Sequence, residues 1–177
     1  MPSNVANPAE VLDALACLHT EVDREAARLE AVHASRLRCG RGCAGCCVDG
    51  LTVFEVEAEA IRCHHADLLA EGVPHPPGTC AFLAEDGACR VYPHRPYVCR
   101  TQGLPLRWLD EDAAGTPVEF RDICPLNEDG DPIETLPVED CWTLGPAEAR
   151  LAALQASVDG GALRRVPLRS LWGDEAR

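Results

Sequence analysis

The stretch CGRGCAGCC, residues 39–47, decides the fold, because it places four cysteines and three glycines within nine residues. Cys43 and Cys46 form a C-x2-C knuckle, and the glycines around them allow the backbone to turn tightly around a buried ion. Cys39 lies four positions before Cys43 and can reach the same centre. Thiolates are soft, charged donors that hold zinc or iron only where the backbone brings several of them together. The stretch therefore predicts a metal centre.

Cys47 directly follows Cys46, and neighbouring side chains diverge. Three interpretations of this pair stay open. The two thiols serve different metals, they serve different corners of one cluster, or they form a strained vicinal disulfide.

Residues 40–45 also match the pattern G-x-G-x-x-G. That pattern indicates a dinucleotide site only where it follows a strand and opens a helix. Here a charged helical segment precedes it and a thiol lies inside it. We therefore exclude dinucleotide binding.

The composition limits what the rest of the chain can be. With 177 residues we expect a single domain, 1–177. The net charge of −13 opposes binding to nucleic acid. The first residues carry no basic, apolar leader, and no stretch approaches a membrane span, so we expect a cytoplasmic protein with no membrane partner. In a reducing compartment, 11 cysteines indicate metal or cluster binding more than disulfides.

The flanking segments predict helices. Asn7, Pro8 and Glu10 are start signals for an N-terminal helix of about 8–38. Its apolar seam consists of Val11, Leu15, Leu18, Val22, Leu29 and Val32. The seam favours packing on its own domain over self-association, which stays possible. A C-terminal helix is predicted over about 146–158.

Between these helices lies a cysteine-cluster core of about 36–126. A capping box over residues 52–55 opens a second helix that stops at Gly72. Two short hairpins are predicted, and their paired segments are 80–83 with 89–92, and 104–109 with 118–123. The predicted fold class is therefore α+β, mostly helical: a small irregular metal-centred domain with two short β-hairpins.

Eight cysteines form the candidate metal-ligand set: Cys39, Cys43, Cys46, Cys47, Cys80, Cys89, Cys99 and Cys124. A thiolate centre carries negative charge, which nearby guanidinium groups would offset. Arg95 and Arg100 lie around Pro96 and Cys99, and we predict that they contact the cofactor.

The remaining candidate ligands are weaker. Cys17, Cys63 and Cys141 are predicted to be packed thiols. The histidines are more often solvated than ligating, and none fits an H-x3-5-H pattern. They are His64, His65, His75 and His94.

The order of these motifs resembles the bacterial YkgJ-type cysteine-cluster family. The residues that carry the resemblance are Cys39-x3-Cys43-x2-Cys46-Cys47, Cys80-Ala-Phe-Leu, Cys89-Arg-Val-Tyr92, Arg95-Pro96-x2-Cys99-Arg100 and Cys124-Pro-Leu. They span about residues 36–126, and one gap is three residues where the family has two. The resemblance implies zinc or iron chelation, and a similar domain occurs in flagellin lysine methylases.

We therefore expect a metal-binding protein whose clustered thiolates chelate an iron–sulfur cluster or zinc, with the iron–sulfur cluster slightly favoured by the methylase resemblance. Two alternatives stay open. One is a cluster-dependent group-transfer enzyme, for instance in protein methylation. The other is a thiol redox or metal-delivery protein, which requires thiols of low pKa. A protein partner is possible, and the sequence does not identify one.

Overall fold

The computed structural model describes residues 7–40 and 42–173 as a small α+β fold, with 46% helix and 13% strand. The helices of this part are α1 Pro8–Val32, α2 Glu55–His64, α3 Ala66–Glu71, α4 Tyr97–Arg100 and α5 Pro146–Asp159. The strands are β1 Thr52–Phe54, β2 Leu106–Glu111, β3 Pro117–Asp122, β4 Trp142–Thr143 and β5 Arg165–Pro167. The predicted fold class is confirmed.

The chain divides into two compact units. The first unit comprises residues 1–17, 40–96 and 151–177, and the second unit comprises residues 18–39 and 97–150. The candidate ligands of the first unit are Cys43, Cys46, Cys47, Cys80 and Cys89. Those of the second unit are Cys39, Cys99 and Cys124. Each unit therefore holds its own set of candidate thiols.

The start of α1 confirms its sequence signals. The Asn7 side chain accepts a hydrogen bond from the Ala9 N–H at 3.1 Å, as an N-cap residue does. Val11, Leu15, Leu18, Val22 and Leu29 of the predicted seam are buried within the chain. Their burial favours packing on the chain itself over self-association. Val32 is the exception, and it is 47% exposed.

The end of α1 was predicted wrongly. The helix stops at Val32, not near Arg38. The Arg36 N–H bonds the His33 carbonyl at 2.9 Å, which tightens the chain into a turn. The Arg36 guanidinium then binds the carbonyls of Asp129 and Asp131 at 2.9 and 2.7 Å. These long-range bonds stabilise the turn against further helix.

The second helix was predicted to start at the capping box of residues 52–55. Instead, Thr52 belongs to β1, which pairs with β5, and the N-cap residue is Phe54. Glu57, not Glu55, supplies the capping carboxylate, and it accepts the Phe54 N–H at 3.3 Å. Strand pairing with a segment more than a hundred residues away takes Thr52 out of the helix.

The same helix also breaks at His65, which has a non-helical backbone with φ −132° and ψ 33°. His64 stacks on His94 with ring centroids 3.9 Å apart, and His65 Nε2 lies 3.0 Å from His94 Nδ1. Consecutive side chains on a continuous helix diverge by about 100°, so they cannot both contact one residue. The break lets both imidazoles contact His94. α3 then ends at Glu71, just before Gly72 as predicted.

The core of the first unit gathers apolar residues from α2, β1, the segment that follows Cys80 and the 3-10 turn Leu168–Trp172. Its buried members are Val53, Ala58, Ile61, Phe82, Val91, Leu168 and Leu171. Cys80 and Cys89 are half-buried and pack against this core. The core therefore holds two candidate ligands at its edge.

Cys80 and Cys89 lie on the first predicted hairpin, whose two segments pair over a shorter length than a regular pair of strands. One bridge joins Leu83 to Cys89, and the Arg90 N–H bonds the Phe82 carbonyl at 2.9 Å. The second hairpin is regular, with Leu106–Glu111 pairing antiparallel to Pro117–Asp122. β4 adds to β2 in parallel, giving the order β3-β2-β4 in the second unit.

The hairpin of the second unit carries an ion-pair network that depends on pH. Glu119 accepts hydrogen bonds from Arg107 and Arg121 at 2.8 and 2.6 Å, and these bonds lower the pKa of its carboxyl group. A lowered pKa contributes stability that is present above the ordinary glutamate pKa and is lost as the pH falls through the folded value. We expect Glu119→Gln to destabilise the protein at neutral pH and to have a smaller effect in acid. Urea unfolding of the wild type and of Glu119→Gln from neutral to acid pH measures the difference in their free energies of unfolding. A difference that does not change with pH contradicts this role of Glu119.

α4, which carries Cys99, is fixed at its first residue. The buried Tyr97 hydroxyl donates to Glu148 at 2.6 Å and accepts the Trp142 indole N–H at 2.9 Å. We expect Tyr97→Phe to cost about 1–3 kcal/mol, because it leaves a buried indole donor without this partner. Chemical unfolding measures the loss. The control is Tyr92→Phe, at a residue that is 59% exposed. Equal effects of the two changes would contradict this role.

Candidate metal centre

The knuckle of the first unit consists of successive tight turns. The Cys43 N–H bonds the Gly40 carbonyl, and the Cys47 N–H bonds the Ala44 carbonyl, both at 3.0 Å. Such turns carry the chain through a compact loop instead of a helix or strand. All eleven cysteines are free thiols, so Cys46 and Cys47 form no vicinal disulfide.

Two contacts join this loop to the hairpin of residues 80–92. The Cys80 N–H bonds the Cys47 carbonyl at 2.8 Å. At the hairpin turn, Gly87 has φ +78°, and a Cβ there would lie 2.9 Å from the Gly42 Cα. Only glycine accommodates both this backbone conformation and this approach. The backbone thus brings Cys47 beside Cys80, although they lie far apart in sequence.

Four thiols of the first unit share one electrostatic environment. Burial, as the largest cause, and the neighbouring sulfurs of Cys46, Cys80 and Cys89 together raise the pKa of Cys47 to about 11. Burial also raises the pKa of Cys80 and of Cys89. Sulfurs that oppose each other's ionisation lie close together, and a cation among them would reverse the effect. We call Cys46, Cys47, Cys80 and Cys89 the four-thiol set.

Local N–H groups favour the thiolate forms of two members. Cys80 accepts a hydrogen bond from the Phe82 backbone N–H, and Cys89 accepts one from the Val91 N–H. Each bond lowers the pKa of its thiol, although burial has the larger effect. Each donor lies two residues after its acceptor, so the two sulfurs have the same local hydrogen-bond arrangement.

Guanidinium groups surround the same two sulfurs. Arg90 and Arg95 lower the pKa of Cys89, so both guanidinium groups lie near this candidate ligand. Arg95 also stacks on Tyr92 at 4.1 Å from the ring centroid. Arg90 Nη2 bonds the Ala81 carbonyl at 2.6 Å, whereas its buried Nε has no hydrogen-bond partner among the described residues. The same guanidinium lies over the Trp172 ring, 4.7 Å from its centroid.

Arg100 is the other arginine that was predicted to contact the cofactor. Its guanidinium is buried in the second unit and forms an ion pair with Asp23 at 2.5 Å. Arg169 is instead the arginine that the sequence analysis missed. It lowers the pKa of Cys80 and binds Asp49 at 2.8 Å. Its position in the C-terminal segment gave no signal, because the contact spans 120 residues.

In the second unit, Cys39 has the most detailed surroundings. Its sulfur lies 3.3 Å from the side-chain nitrogen of Asn127, and a Cβ on Gly103 would lie 2.6 Å from it. Cys99 lies on α4, and Cys124 directly precedes a short 3-10 turn, Pro125–Asn127. Asn127 lies in the acidic stretch of residues 127–132, whose composition is typical of a solvated turn, so no local pattern signalled this contact.

The three remaining cysteines differ from one another. Cys141 is buried, which confirms its prediction as a packed thiol. Cys17 and Cys63 are exposed, so for them the prediction was wrong. Cys17 lies on α1 beside the buried seam, and Cys63 on α2 contacts the Glu59 carboxylate at 3.5 Å. Neither side chain lies on the apolar face of its helix.

A donor set must also converge to hold an ion. Within residues 7–40 and 42–173, no three Cys, His, Asp or Glu side chains are arranged to hold one. The four-thiol set nevertheless has the chemistry that zinc and iron prefer, with soft sulfur donors at the edge of an apolar core. The backbone contacts of Cys47 with Cys80 and of Gly42 with Gly87 hold the loop and the hairpin together.

One protein-family model matches the part of the chain that carries most of the candidate ligands. Residues 38–122 match the family model CxxCxxCC, described as "Putative zinc- or iron-chelating domain". The match confirms the resemblance that the cysteine order indicated. No curated protein and no solved structure matches the chain significantly. In the part of the chain described, no helix has the length and apolar character to cross a membrane.

Proposed function

We propose, on the premise that residues 38–122 carry a CxxCxxCC domain, that the protein chelates zinc or an iron–sulfur cluster through its cysteine thiolates. The four-thiol set is the centre of the proposal. The observation that carries it is the close approach of the cysteine loop to the 80–92 hairpin, where the Cys80 N–H bonds the Cys47 carbonyl at 2.8 Å. The pKa of Cys47, raised to about 11 by burial and by three neighbouring sulfurs, agrees with this approach. Four thiols match the ligand number of a structural zinc site or a four-iron cluster.

The raised pKa values also favour chelation over thiol redox chemistry. A redox thiol needs a low pKa, because the thiolate is the nucleophile. Cys47, Cys80 and Cys89 all shift the other way. A bound cation stabilises thiolates directly and needs no low pKa in the free protein, since metal binding displaces the protons.

The chain's own residues then act around the centre. Arg90 and Arg95 offset the negative charge of the thiolates, and Arg169 acts near Cys80. The N–H groups of Phe82 and Val91 orient two of the sulfurs. Such outer contacts tune affinity and, for iron, the reduction potential. A bound cluster would supply electron-transfer or Lewis-acid chemistry.

An iron–sulfur cluster and a zinc ion are distinguished by metal content and spectra. We favour the iron–sulfur cluster because of the resemblance to the domain of flagellin lysine methylases. Anaerobic reconstitution with iron and sulfide, in parallel with zinc, tests the choice. A brown protein whose absorbance and Mössbauer spectra show a cluster supports iron. Stoichiometric zinc with no cluster spectrum supports zinc. A folded protein that retains neither contradicts the proposed function.

The ligand assignments are tested by replacing single cysteines. We propose that Cys39, Cys43, Cys99 and Cys124 also take part in metal binding, outside the four-thiol set. Serine keeps the size of cysteine but removes the soft donor. Loss of bound metal in each serine variant supports the assignment, and unchanged metal content in a variant removes that residue from it.

A further inference from the structure

Three histidines of the first unit contact one another where α2 ends. The rings of His64 and His94 stack, with their centroids 3.9 Å apart and their planes inclined by 6°. His65 Nε2 lies 3.0 Å from His94 Nδ1, within hydrogen-bond distance. His94 lies in the 3-10 turn Tyr92–His94, at the end of the hairpin of residues 80–92. We call His64, His65 and His94 the histidine clasp, because they join this turn to α2.

The clasp is not arranged as a metal site. Its two closest nitrogens face each other, whereas the nitrogens of metal ligands point at a common ion. Within residues 7–40 and 42–173, no three Cys, His, Asp or Glu side chains are placed to hold an ion. The chemistry of the clasp is therefore that of protons on neighbouring imidazoles.

The contact between His65 and His94 depends on how many protons the two rings carry. A hydrogen bond between ring nitrogens needs an N–H on one ring and a lone pair on the other. Two neutral imidazoles meet this condition, and so do one neutral and one charged imidazole. When both rings are charged, every ring nitrogen carries a proton, and N–H faces N–H. A second proton therefore removes the bond.

The stacked pair opposes a second proton as well. Charges on His64 and His94 would lie about as close as their rings, and like charges in contact disfavour each other. Burial, and then the charge of His64, lower the pKa of His65. A lowered pKa means that the ring binds its proton more tightly once the contact is broken, so acid favours the open form. The stability that the clasp contributes is present above the ordinary histidine pKa of about 6.5 and is lost as the pH falls from there toward the folded value.

Each cation on the elements around the clasp has a partner of its own. β5 and the 3-10 turn Leu168–Trp172 both pack against α2, and each carries one arginine. Two more arginines lie on α2 and directly after His94. These cations and their partners are Arg62 with Glu55 and Glu59, Arg95 with Tyr92, Arg165 with Phe54, and Arg169 with Asp49.

The acidic groups around the clasp do not neutralise the end of α2. Asp67 and Glu71 of α3 are both exposed, so water and salt screen their charges. Neither His64 nor His65 forms an ion pair with a carboxylate of the described residues. The other titratable side chains of α2 are Glu57, which bonds the N-cap N–H of the helix, and the thiol of Cys63, whose raised pKa keeps it neutral.

The break between α2 and α3 is a local one. Residues 55–71 contain no glycine or proline that would end a helix. The His65 N–H bonds the Ile61 carbonyl at 2.9 Å, and the Leu69 N–H bonds the His65 carbonyl at 3.0 Å. Both are the i to i−4 bonds of a continuous helix, although the dihedral angles of His65 are not helical. The break is therefore an element that the contacts with His94 can control.

We propose that the histidine clasp is an acid-operated switch. It holds the turn Tyr92–His94 against the end of α2 while at most one of its imidazoles is charged, and it opens when a second proton binds. The proposal goes beyond metal chelation and does not assume that a metal is bound. It therefore stands or falls separately from the proposed function.

The first test is an NMR titration of the histidine side chains in the full chain. The protein has 6 histidines, and single substitutions assign their signals. We expect at least one imidazole of the clasp to take up its proton about 1 pH unit or more below the ordinary value of about 6.5. His75 is the reference, because it lies in the same unit and contacts the Thr79 hydroxyl instead of another imidazole.

Asparagine at position 94 separates the hydrogen bond from the charge. In His94→Asn, the amide can still bond His65 but takes up no proton. We expect the titrations of His64 and His65 to move toward the ordinary value by about 1 pH unit, because one of the like charges is gone. The titration of His75 should stay unchanged.

Opening is measured separately, by amide hydrogen exchange at Leu69, whose N–H bonds His65 across the break. We expect its protection, corrected for the intrinsic pH dependence of exchange, to fall about 10-fold or more from about pH 7.5 to about pH 5. Ala58 and Ile61, in the core of the same unit, should keep their protection. In His94→Asn, the protection of Leu69 should no longer depend on pH.

A second variant keeps the proposal testable if His94→Asn does not fold. His64 is exposed, and His64→Gln removes one of the three charges while keeping a good helix former. We expect a smaller pH dependence of Leu69 protection than in the wild type. Independent titration of all three imidazoles near the ordinary value overturns the proposal. So does a pH dependence at Leu69 that is equal in the wild type and the variants, as loss of a bound metal in acid would produce.

Discussion

Replacing Cys47 by serine should abolish metal binding at the four-thiol set and destabilise the first unit strongly. The pKa of Cys47 is raised by all three other sulfurs, and its carbonyl accepts the Cys80 N–H, so Cys47 links the loop to the hairpin. A structural thiolate zinc site contributes on the order of 10 kcal/mol to folding, and loss of one ligand removes a large part of it. Metal analysis and urea unfolding of the metal-loaded protein measure the two effects.

Cys63→Ser is the matched control for this change. Cys63 also lies in the first unit, but its thiol is exposed on α2 and contacts Glu59, not another cysteine. We expect its metal content to be unchanged and its stability to change by less than about 0.5 kcal/mol. If both variants keep their metal, Cys47 is not a ligand.

The second large effect is expected for Arg169→Met. The guanidinium binds the carbonyls of His75 and Thr79, both at 2.8 Å, and the Asp49 carboxylate. It thus ties the C-terminal segment to the two chain segments that lead into Cys80 and away from Cys47. Hydrogen bonds to a charged group contribute about 1.5–3 kcal/mol each, and several are lost together. We expect a loss of about 3 kcal/mol or more and weaker metal retention.

Arg164→Met tests whether this effect is specific. Arg164 lies nearby in sequence, but its side chain is 70% exposed and pairs with Glu55 at 3.6 Å. An exposed pair contributes about 0–1 kcal/mol, so we expect little change. Denaturant unfolding and metal analysis of both variants provide the comparison. Equal losses in the two variants would show that the contacts of Arg169 do not matter.

The parts of the fold that sequence predicted well depend on local signals. The Asn7 cap, the stop before Gly72 and the helix from Pro146 each need only neighbouring residues. The second hairpin followed from two β-rich segments around a polar turn. The family was also readable from the order of the cysteines, because thiol spacing is itself a local constraint.

The errors have long-range causes. Thr52 fits a capping box, but pairing with β5 turns it into strand. The break at His65 depends on His94, and the end of α1 depends on carbonyls near Asp129. Arg169 reaches across 120 residues. Such tertiary contacts override local propensity, and no pattern along the chain encodes them.

In the candidate site, too, local patterns were predicted from the sequence and long-range contacts were not. Sequence identified the eight thiols as one ordered set, whereas the compact units separate them into five and three. Asn127 lies in the acidic stretch of residues 127–132, whose composition is typical of a solvated turn, yet it is fully buried against Cys39. A polar residue gains such a role only when distant segments meet it.

Metal analysis of protein purified without oxygen, combined with X-ray absorption at the edge of the metal found, tests the central claim most directly. We predict bound zinc or iron in stoichiometric amount, with a sulfur shell at about 2.3 Å. The same sample should show Cys46, Cys47, Cys80 and Cys89 protected from alkylation. A folded, metal-free protein in which all eight candidate thiols react would contradict metal chelation.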